Sequence, residues 1–373
     1  MYQIYEVKTK KEQKEFLDFP LKMYKDCPYF VPPLYGDEKK IFSKKYVYAD
    51  TCDSVFFLCK DGKKVVGRIS GILQKAHNQK TGEKRVRFTR FDSIDDVEVA
   101  KLLFKAVEDW ARLKGMNIVC GPLGYSDLER EGLLIEGFDQ LSTFEEQYNY
   151  EYYPKLVEAC GYQTEVNWVE RQVYAPDVLD EKLVRISDMM LKKYKLHFAE
   201  CKNVNDLIKR YADKLFALLD ESYEDIYGTV PFTDAMKKNM IANFKLIVRL
   251  DFVPLIVDEN DNLVCFGLVF PSLSKAIQPS MGRLTLPTII RVLKSKHNPE
   301  IVDLGLIGVK PEYAMLGVSS AMIAKVMQIL CQGNVKYRET NLNLEDNHSI
   351  QNQWHRFKTV LHKRRRAYIK KIS

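Results

Sequence analysis

The order of the elements that the sequence predicts occurs twice along the chain. Each half contains a strand, a turn and a strand, then a further strand, a long helix, a strand, a short helix and a closing strand. Asp61-Gly62 lies between two β-rich runs and predicts the first hairpin, and residues 258–262 predict its counterpart in the second half. A length of 373 residues also suits two domains. The repeat therefore predicts an α/β protein with two similar domains, residues 1–176 and 177–373.

Two segments do not fit the repeat. The first 50 residues are aromatic and interrupted by prolines, so we expect an ordered loop and a short helix there. Residues 177–200 are interpreted as the joint between the halves.

The run from His362 to Lys371 is strongly basic and carries much of the net charge of +7. One interpretation is a solvated edge strand that its charge protects from aggregation. The other is attraction for an anionic partner, such as CoA phosphates or the acidic headgroups of a membrane that the protein contacts peripherally. Nucleic acid ranks last, because the sequence has no helix-turn-helix, zinc-finger or RNP pattern.

Nothing in the sequence predicts a membrane span or a cleaved signal peptide. The longest apolar runs are short and interrupted, whereas a spanning helix needs about 18 apolar residues, and residues 1–16 contain no apolar stretch. None of the eight cysteines forms a CxxC pair, and several, such as Cys59 and Cys265, lie in apolar runs. We therefore expect buried thiols in a cytoplasmic protein, without a disulfide framework or a metal site.

One junction between a strand and a helix has the features of an anion site. A buried strand over 301–309 is followed by Pro311, and a helix then begins through Leu316, Gly317, Val318, Ser319 and Ser320. A glycine at a helix start exposes unpaired backbone N–H groups, which together with the helix dipole suit a pyrophosphate. The alternative for this stretch alone is an ordinary tight turn.

The same stretch resembles motif A of the GNAT acyltransferase superfamily. Val309, Pro311, Tyr313 and Gly317 match the motif, whereas Ala314 and Ser319 replace the usual Gln or Arg and the usual Gly or Ala. The segment 341–347, NLNLEDN, is similar to motif B. The resemblance implies an α/β fold of GNAT-like domains with mixed central sheets flanked by helices. It also implies acetyl-CoA or a longer acyl-CoA as the co-substrate.

The resemblance further implies roles for particular residues. Asn347 matches an Asn near the pantetheine arm, and backbone N–H groups of the strand around Ile307 and Val309 would hold the thioester carbonyl. Seven residues after Asn347 the superfamily often has a tyrosine acid, but this chain has Trp354, which has no acidic hydroxyl.

Segments along nearly the whole chain resemble a narrower group, the tandem-GNAT bacterial proteins, some of which are similar to bacterial ceramide-synthase-type acyltransferases. Among these segments are FVPPLYGDEKK, GPLGYSDLEREGLLIEGFD and SYEDIYGTVPFTDAM. The group implies a small or lipid-like amine as the acyl acceptor.

The two halves differ at the start of the equivalent helix. The first half has Asp92, Asp95, Asp96 and Glu98 there and no glycine. These carboxylates suit the helix dipole but repel a pyrophosphate. We therefore expect the second half to hold the CoA and the first half to shape the acceptor cleft.

The sequence offers several candidates for acid–base chemistry. Asp303, Glu339 or Glu345 would be the base, although a strand-end carboxylate and a helix cap are the alternatives for Asp303 and Glu345. Tyr223 or Tyr227 would be the acid, although tyrosines in such a loop more often pack. Met315, Met322 and Met327 would line an acyl channel or belong to the core.

Two functions follow from these observations. The first is an N-acyltransferase that uses acetyl-CoA or a longer acyl-CoA. The second is a non-catalytic protein that binds acyl-CoA or a metabolite, which the departures at Ala314, Ser319 and Trp354 favour.

Overall fold

The computed structural model describes residues 1–175, 181–331, 335–355 and 357–373, without the side chains of residues 246 and 330. The predicted boundary between residues 176 and 177 lies outside the described residues. Within them the fold is α/β, as predicted.

The described strands form one 14-stranded sheet that runs through both halves, rather than two separate sheets. Along the sheet the order is β1-β2-β3-β4-β5-β14-β7-β12-β11-β10-β9-β8. In addition, β13 pairs with β7, and β6 pairs with β14. Two pairs are parallel, β4 with β5 and β11 with β12, and the others are antiparallel. The strands are β1 (Tyr2–Glu6), β2 (Cys52–Asp61), β3 (Lys64–Gln74), β4 (Arg85–Ser93), β5 (Ile118–Gly121), β6 (Leu133–Glu136), β7 (Gln163–Tyr174), β8 (His197–Phe198), β9 (Leu255–Val257), β10 (Leu263–Pro271), β11 (Ile301–Val309), β12 (Tyr337–Thr340), β13 (Asn343–Leu344) and β14 (Lys358–Lys371).

The helices pack against this sheet. They are α1 (Lys10–Met23), α2 (Tyr35–Glu38), α3 (Lys75–Thr81), α4 (Val97–Leu113), α5 (Tyr153–Ala159), α6 (Glu181–Lys193), α7 (Val204–Ser222), α8 (Asp234–Ile247), α9 (Ser274–Ile277), α10 (Leu286–His297), α11 (Pro311–Ala314), α12 (Val318–Leu330) and α13 (His348–Trp354). No described helix is long and apolar enough to cross a membrane.

The long helix of the first half illustrates how the periodicity determines the packing. Val99, Leu103 and Val107 lie on one face of α4, and all three are fully buried in the first core. The side chain of Asp96 accepts a hydrogen bond from the N–H of Glu98 and caps the helix. The predicted helix from 95 to 114 is therefore confirmed, and Cys59 and Cys265 are buried as expected.

The last strand of each half joins the sheet of the other half. β14 pairs with β5 and β6 of the first half on one side and with β7 on the other. β7 in turn pairs with β12 and β13 of the second half. These two exchanged strands connect the halves through backbone hydrogen bonds.

The interpretation of the basic C-terminal run as a solvated edge strand is wrong. β14 lies inside the sheet, and its Lys363 and Arg365 side chains are buried. The Lys363 ammonium lies 3.0 Å from Glu170 Oε2 and also contacts Glu339, and Arg365 Nε donates to Glu170 Oε1 at 2.6 Å. Buried carboxylates on β7 and β12 match these charges, which the local sequence does not reveal.

Two other segments differ from the sequence expectations. Most of the first 23 residues form β1 and α1, because Thr9 and Glu12 make a capping box that starts the helix despite Pro20 within it. The interpreted joint 177–200 contains α6 and β8 in its described part, and both belong to the second half. The sequence did not predict this regular structure, because the N-terminal segment is rich in aromatic residues and prolines and the 177–200 segment is highly charged.

Candidate functional site

A cavity of about 610 Å³ lies between the two halves, at the point where two parallel strands separate. β11 pairs with β12 only from Ile301 to Leu304, and beyond this point β13 pairs with β7 instead. Residues 304–307 of β11 and residues 340–344 line opposite walls of the opening. Because the strands separate, their backbone groups face the cavity, and this geometry suits an extended ligand.

The start of α12 lies next to this cavity and has no side-chain cap. Gly317 occupies the left-handed conformation with φ 82°, and a Cβ added there would meet only Met190 at 3.9 Å. The first N–H groups of a helix have no partners within it. The predicted glycine-started helix is therefore present, and its open N-terminus suits an anion.

The residues predicted to bind CoA divide into two sets. Those that line the cavity are Ile307, Val309, Ser319 and Asn347. Those in the turn or beneath it are Leu316, Gly317, Val318 and Ser320, of which Leu316 and Val318 pack in an apolar cluster with residues of α6. Asn347 also caps α13, where its side chain accepts a hydrogen bond from the N–H of Ile350.

Both tyrosines predicted as acids line the cavity, but their hydroxyls already have partners. The Tyr223 hydroxyl donates to the Ile307 carbonyl at 3.1 Å, and the Tyr227 hydroxyl donates to Glu165 at 2.5 Å. Burial raises the pKa of each tyrosine above its ordinary value. Both hydroxyls therefore keep their protons at neutral pH.

The three carboxylates predicted as bases are not among the described residues that line the cavity. Asp303 is buried on β11, and burial followed by repulsion from Glu145 and Glu339 raises its pKa well above the ordinary value. Glu339 contacts Lys363, and Glu345 contacts Arg364. The structure thus places the two tyrosines at the cavity and the three carboxylates outside its lining.

The cavity instead has an acidic wall that the sequence analysis missed. The wall comprises Asp127, Glu129, Glu131, Glu145 and Glu146, which come from two loops of the first half. Burial is the largest cause that raises the pKa of each of these carboxyl groups. Three of these residues lie in the segment GPLGYSDLEREG (121–132), which was interpreted above only as part of the family resemblance.

Three carboxyl groups of the acidic wall have an oxygen without a hydrogen-bond partner among the described residues: Glu131 Oε1, Glu145 Oε2 and Glu146 Oε2. Glu146 Oε2 lies 4.0 Å from Arg365 Nε. The Glu131 side chain is buried. After burial, the neighbouring Asp127 raises its pKa further. A buried carboxyl group with a free oxygen and a raised pKa is suited to take a proton from a ligand.

The opposite part of the cavity is apolar. Met322 and Met327 are both buried and line it, so the core interpretation is confirmed for these two residues, and the acyl channel stays a prediction. Met315 is 94% exposed and lies at the rim. Trp354 also lines the cavity, and its indole N–H donates to Asn343 Oδ1 at 2.8 Å.

The difference between the two helix starts is only partly as predicted. Asp96 caps α4, but Asp92 lies on β4, where it accepts hydrogen bonds from Arg68 Nε at 2.7 Å and the Tyr24 hydroxyl at 3.1 Å. Asp92 therefore neutralises a buried arginine and does not belong to the helix terminus.

Among the described residues, one group could offer three metal ligands: Glu170, Glu339 and His362. The Lys363 ammonium already contacts both carboxylates. This cation supplies the positive charge that a metal ion would bring, so the group does not fit a metal site.

Comparison with known proteins supports the resemblance. The chain is 25% identical to Protein YghO of Escherichia coli K12 over 380 aligned positions, which cover 98% of this chain and 94% of that protein. It is 27% identical to the bacterial ceramide synthase of Caulobacter vibrioides over 286 positions, which cover 74% and 72%. No protein-family model matches the chain.

The fold is that of the tandem GNAT proteins. A tandem GNAT protein from the clavulanic acid biosynthesis pathway superposes with a TM-score of 0.56 at 11% identity, and the match covers 100% of this chain and 98% of that one. The predicted fold class is confirmed.

Proposed function

Since the chain has the tandem GNAT fold, we propose that it transfers an acyl group from acyl-CoA to an amine. The observation that carries the proposal is a single cavity with an uncapped helix N-terminus at its rim, separated strands along its length and an acidic wall. Each part matches one requirement of acyl transfer to an amine.

The donor would lie along the second half. The pyrophosphate would bind the N–H groups at the start of α12, and the pantetheine arm would lie between β11 and residues 341–344. The apolar surface around Met322 and Met327 offers space for an acyl chain.

The acceptor would approach from the first half. An ammonium group is attracted by carboxylates, and it must lose a proton before its nitrogen can attack the thioester carbon. Glu131 is the base that we favour, because its Oε1 has no hydrogen-bond partner among the described residues, whereas Glu146, which also has an unpartnered oxygen, lies 4.0 Å from the Arg365 guanidinium. The amide bond then forms as the carbon–sulfur bond breaks, and the thiolate is protonated; Tyr223 and Tyr227 remain the predicted acids.

The relatives bear on the identity of the acceptor. The Caulobacter relative is named a ceramide synthase, and we propose by extension that this chain acylates a lipid-like, long-chain amine. A non-catalytic acyl-CoA-binding protein is the second candidate, and Trp354 at the position of the usual acid favours it.

The test is thermal unfolding with acetyl-CoA, palmitoyl-CoA and free CoA, followed by thiol release with sphinganine as the acceptor. A ligand that binds the folded state raises the melting temperature. Stabilisation together with acceptor-dependent thiol release is expected. Stabilisation without thiol release would favour the non-catalytic candidate, and no stabilisation by any of the three would contradict both.

Gly317→Glu is expected to weaken CoA binding at least about tenfold, because it places a carboxylate beside the anion site. The measurement is calorimetric titration with CoA. Gly115→Glu is the matched control, since Gly115 has φ 72° with no atom within 4 Å of an added Cβ and lies after α4. Asp95→Gly should likewise leave affinity unchanged; loss with Asp95→Gly and retention with Gly317→Glu would place CoA in the first half.

A further inference from the structure

The helix α10 presents its apolar side to solvent. Leu286, Ile289, Ile290 and Leu293 follow the spacing of one helix face, and with Leu284 just before the helix they are 43% to 72% exposed. No other described helix carries more than two exposed large apolar side chains. These five residues are called the α10 apolar face below.

The polar side of α10 is the one that faces the protein. Thr288 is fully buried, and Arg291 donates to the Ala276 carbonyl at 2.9 Å and to Thr288 Oγ1 at 3.1 Å. A surface helix of a globular protein normally has the opposite orientation. Since hydrogen bonds fix this orientation, the apolar face is a built feature of the surface and needs a partner.

The charges in the sequence of this segment are of one sign. Residues 263–299 contain no Asp or Glu, whereas Arg283, Arg291, Lys294 and Lys296 lie in or just before α10. Arg283 lies 3.8 Å from Asp18 and Arg291 faces the protein, so Lys294 and Lys296 are the cations that flank the apolar face. At 100° per residue, Lys294 and Lys296 lie on opposite flanks of the apolar stripe. Lysines in this position extend their ammonium groups toward headgroups while their methylenes stay with the acyl chains.

We propose that the α10 apolar face docks on a membrane surface that contains anionic lipids. An apolar stripe flanked by cations and free of acidic residues fits such a surface. A second copy of this chain would bring the same cationic flanks into contact, and like charges would then oppose the pairing. The membrane contact expected from the basic run 362–371 is thus assigned to α10 instead, because Lys363 and Arg365 are buried.

The position of α10 also suits the proposed function, although docking does not depend on that function. In the segment before α10, Gln278 donates to the Pro28 and Phe30 carbonyls, and the Gly282 carbonyl accepts from the N–H of Tyr35. Phe30 lines a second cavity of about 510 Å³, which shares Glu129 and Glu145 of the acidic wall with the first. A lipid-like amine would thus have a short route from the membrane surface to the acidic wall.

The test is flotation of the full chain with vesicles of phosphatidylcholine alone or with added phosphatidylglycerol, without acyl-CoA. Binding to the anionic vesicles is expected. Leu286→Gln with Ile290→Gln should weaken it at least about tenfold, because two exposed aliphatic side chains that would enter the bilayer are lost. Lys294→Gln and Lys296→Gln should each weaken it about fivefold, in a manner that high salt reproduces.

Leu113→Gln is the matched control, because Leu113 is an exposed leucine on another helix, α4. It should bind like the unchanged chain, and unaltered melting temperatures would show that each variant is folded. Absence of binding to anionic vesicles, or full binding by the Leu286/Ile290 variant, would overturn the proposal. So would a dimer in sedimentation velocity that this variant dissociates, since the face would then belong to a second copy. Because acyl-CoA and acceptor are absent, these outcomes do not bear on the transferase activity.

Discussion

Lys363→Met is expected to lower the free energy of unfolding by about 3–5 kcal/mol, because it leaves buried carboxylates without their cation. The Lys363 ammonium lies 3.0 Å from Glu170 and also contacts Glu339. Methionine fills a similar volume, so the loss reports charge rather than packing. Urea unfolding monitored by fluorescence and by circular dichroism measures it, and coincident transitions would validate the two-state treatment.

The matched control is Lys371→Met, which removes an exposed lysine from the same strand, β14. We expect it to change stability by less than about 0.5 kcal/mol. Equal stability of the Lys363 and Lys371 variants would contradict the role assigned to the ion pairs.

The pH dependence of the stability also tests these ion pairs, because it must change in a defined direction. Burial would raise the pKa of Glu170, but Arg365 and Lys363 outweigh it and hold the pKa below its ordinary value. A carboxyl group with a depressed pKa stabilises the folded state above its unfolded pKa, and this contribution is lost as the pH falls toward its folded pKa. In Lys363→Met this acid-sensitive contribution should shrink, so its stability should fall less steeply below about pH 4.5.

Glu131→Gln is expected to lower kcat for acyl transfer about 100-fold or more, because the amide cannot accept the proton of the ammonium. The same change should make the protein more stable at pH 8, because the amide has no proton to lose there. A raised folded pKa means that the folded state holds the proton more tightly, so ionisation lowers stability as the pH rises above the ordinary value of 4.5. Near pH 4 the two proteins should therefore be equally stable.

Thiol release and thermal unfolding across this pH range measure the two effects. Glu136→Gln is the control, since Glu136 lies at the end of β6 with its side chain 57% exposed, and it should change neither activity nor stability appreciably. A Glu131→Gln enzyme with full activity would transfer the role of base to another residue of the acidic wall. A loss of stability at pH 8 would contradict the raised pKa.

The features that the sequence predicted depend on neighbours in sequence. The periodicity of Val99, Leu103 and Val107 specifies α4 because these residues share one face of a helix. The turn at Asp61-Gly62 and the glycine at the start of α12 are equally local. For the same reason, the uncapped start of α12 could be predicted from the sequence.

The features that the sequence did not predict depend on distant partners. Lys363 and Arg365 lie in a run that is typical of a solvated strand, and their burial is stabilised by carboxylates far away in the sequence, chiefly Glu170 and Glu339. The acidic wall forms because two loops of the first half converge on a cavity that is otherwise lined mostly by the second half. Neither arrangement leaves a periodic pattern in the chain.

The exchanged strands also affect how the protein is made. β14 follows every other described element in the chain, yet it completes the sheet beside β5, and Lys370 bonds to Glu108 across 262 positions. During synthesis the first half therefore emerges from the ribosome with the place of β14 between β5 and β7 still empty. Such long-range pairing slows folding and leaves strand edges open to aggregation. A gene fragment ending near residue 176 should thus give an insoluble product, which a separately expressed second half would rescue.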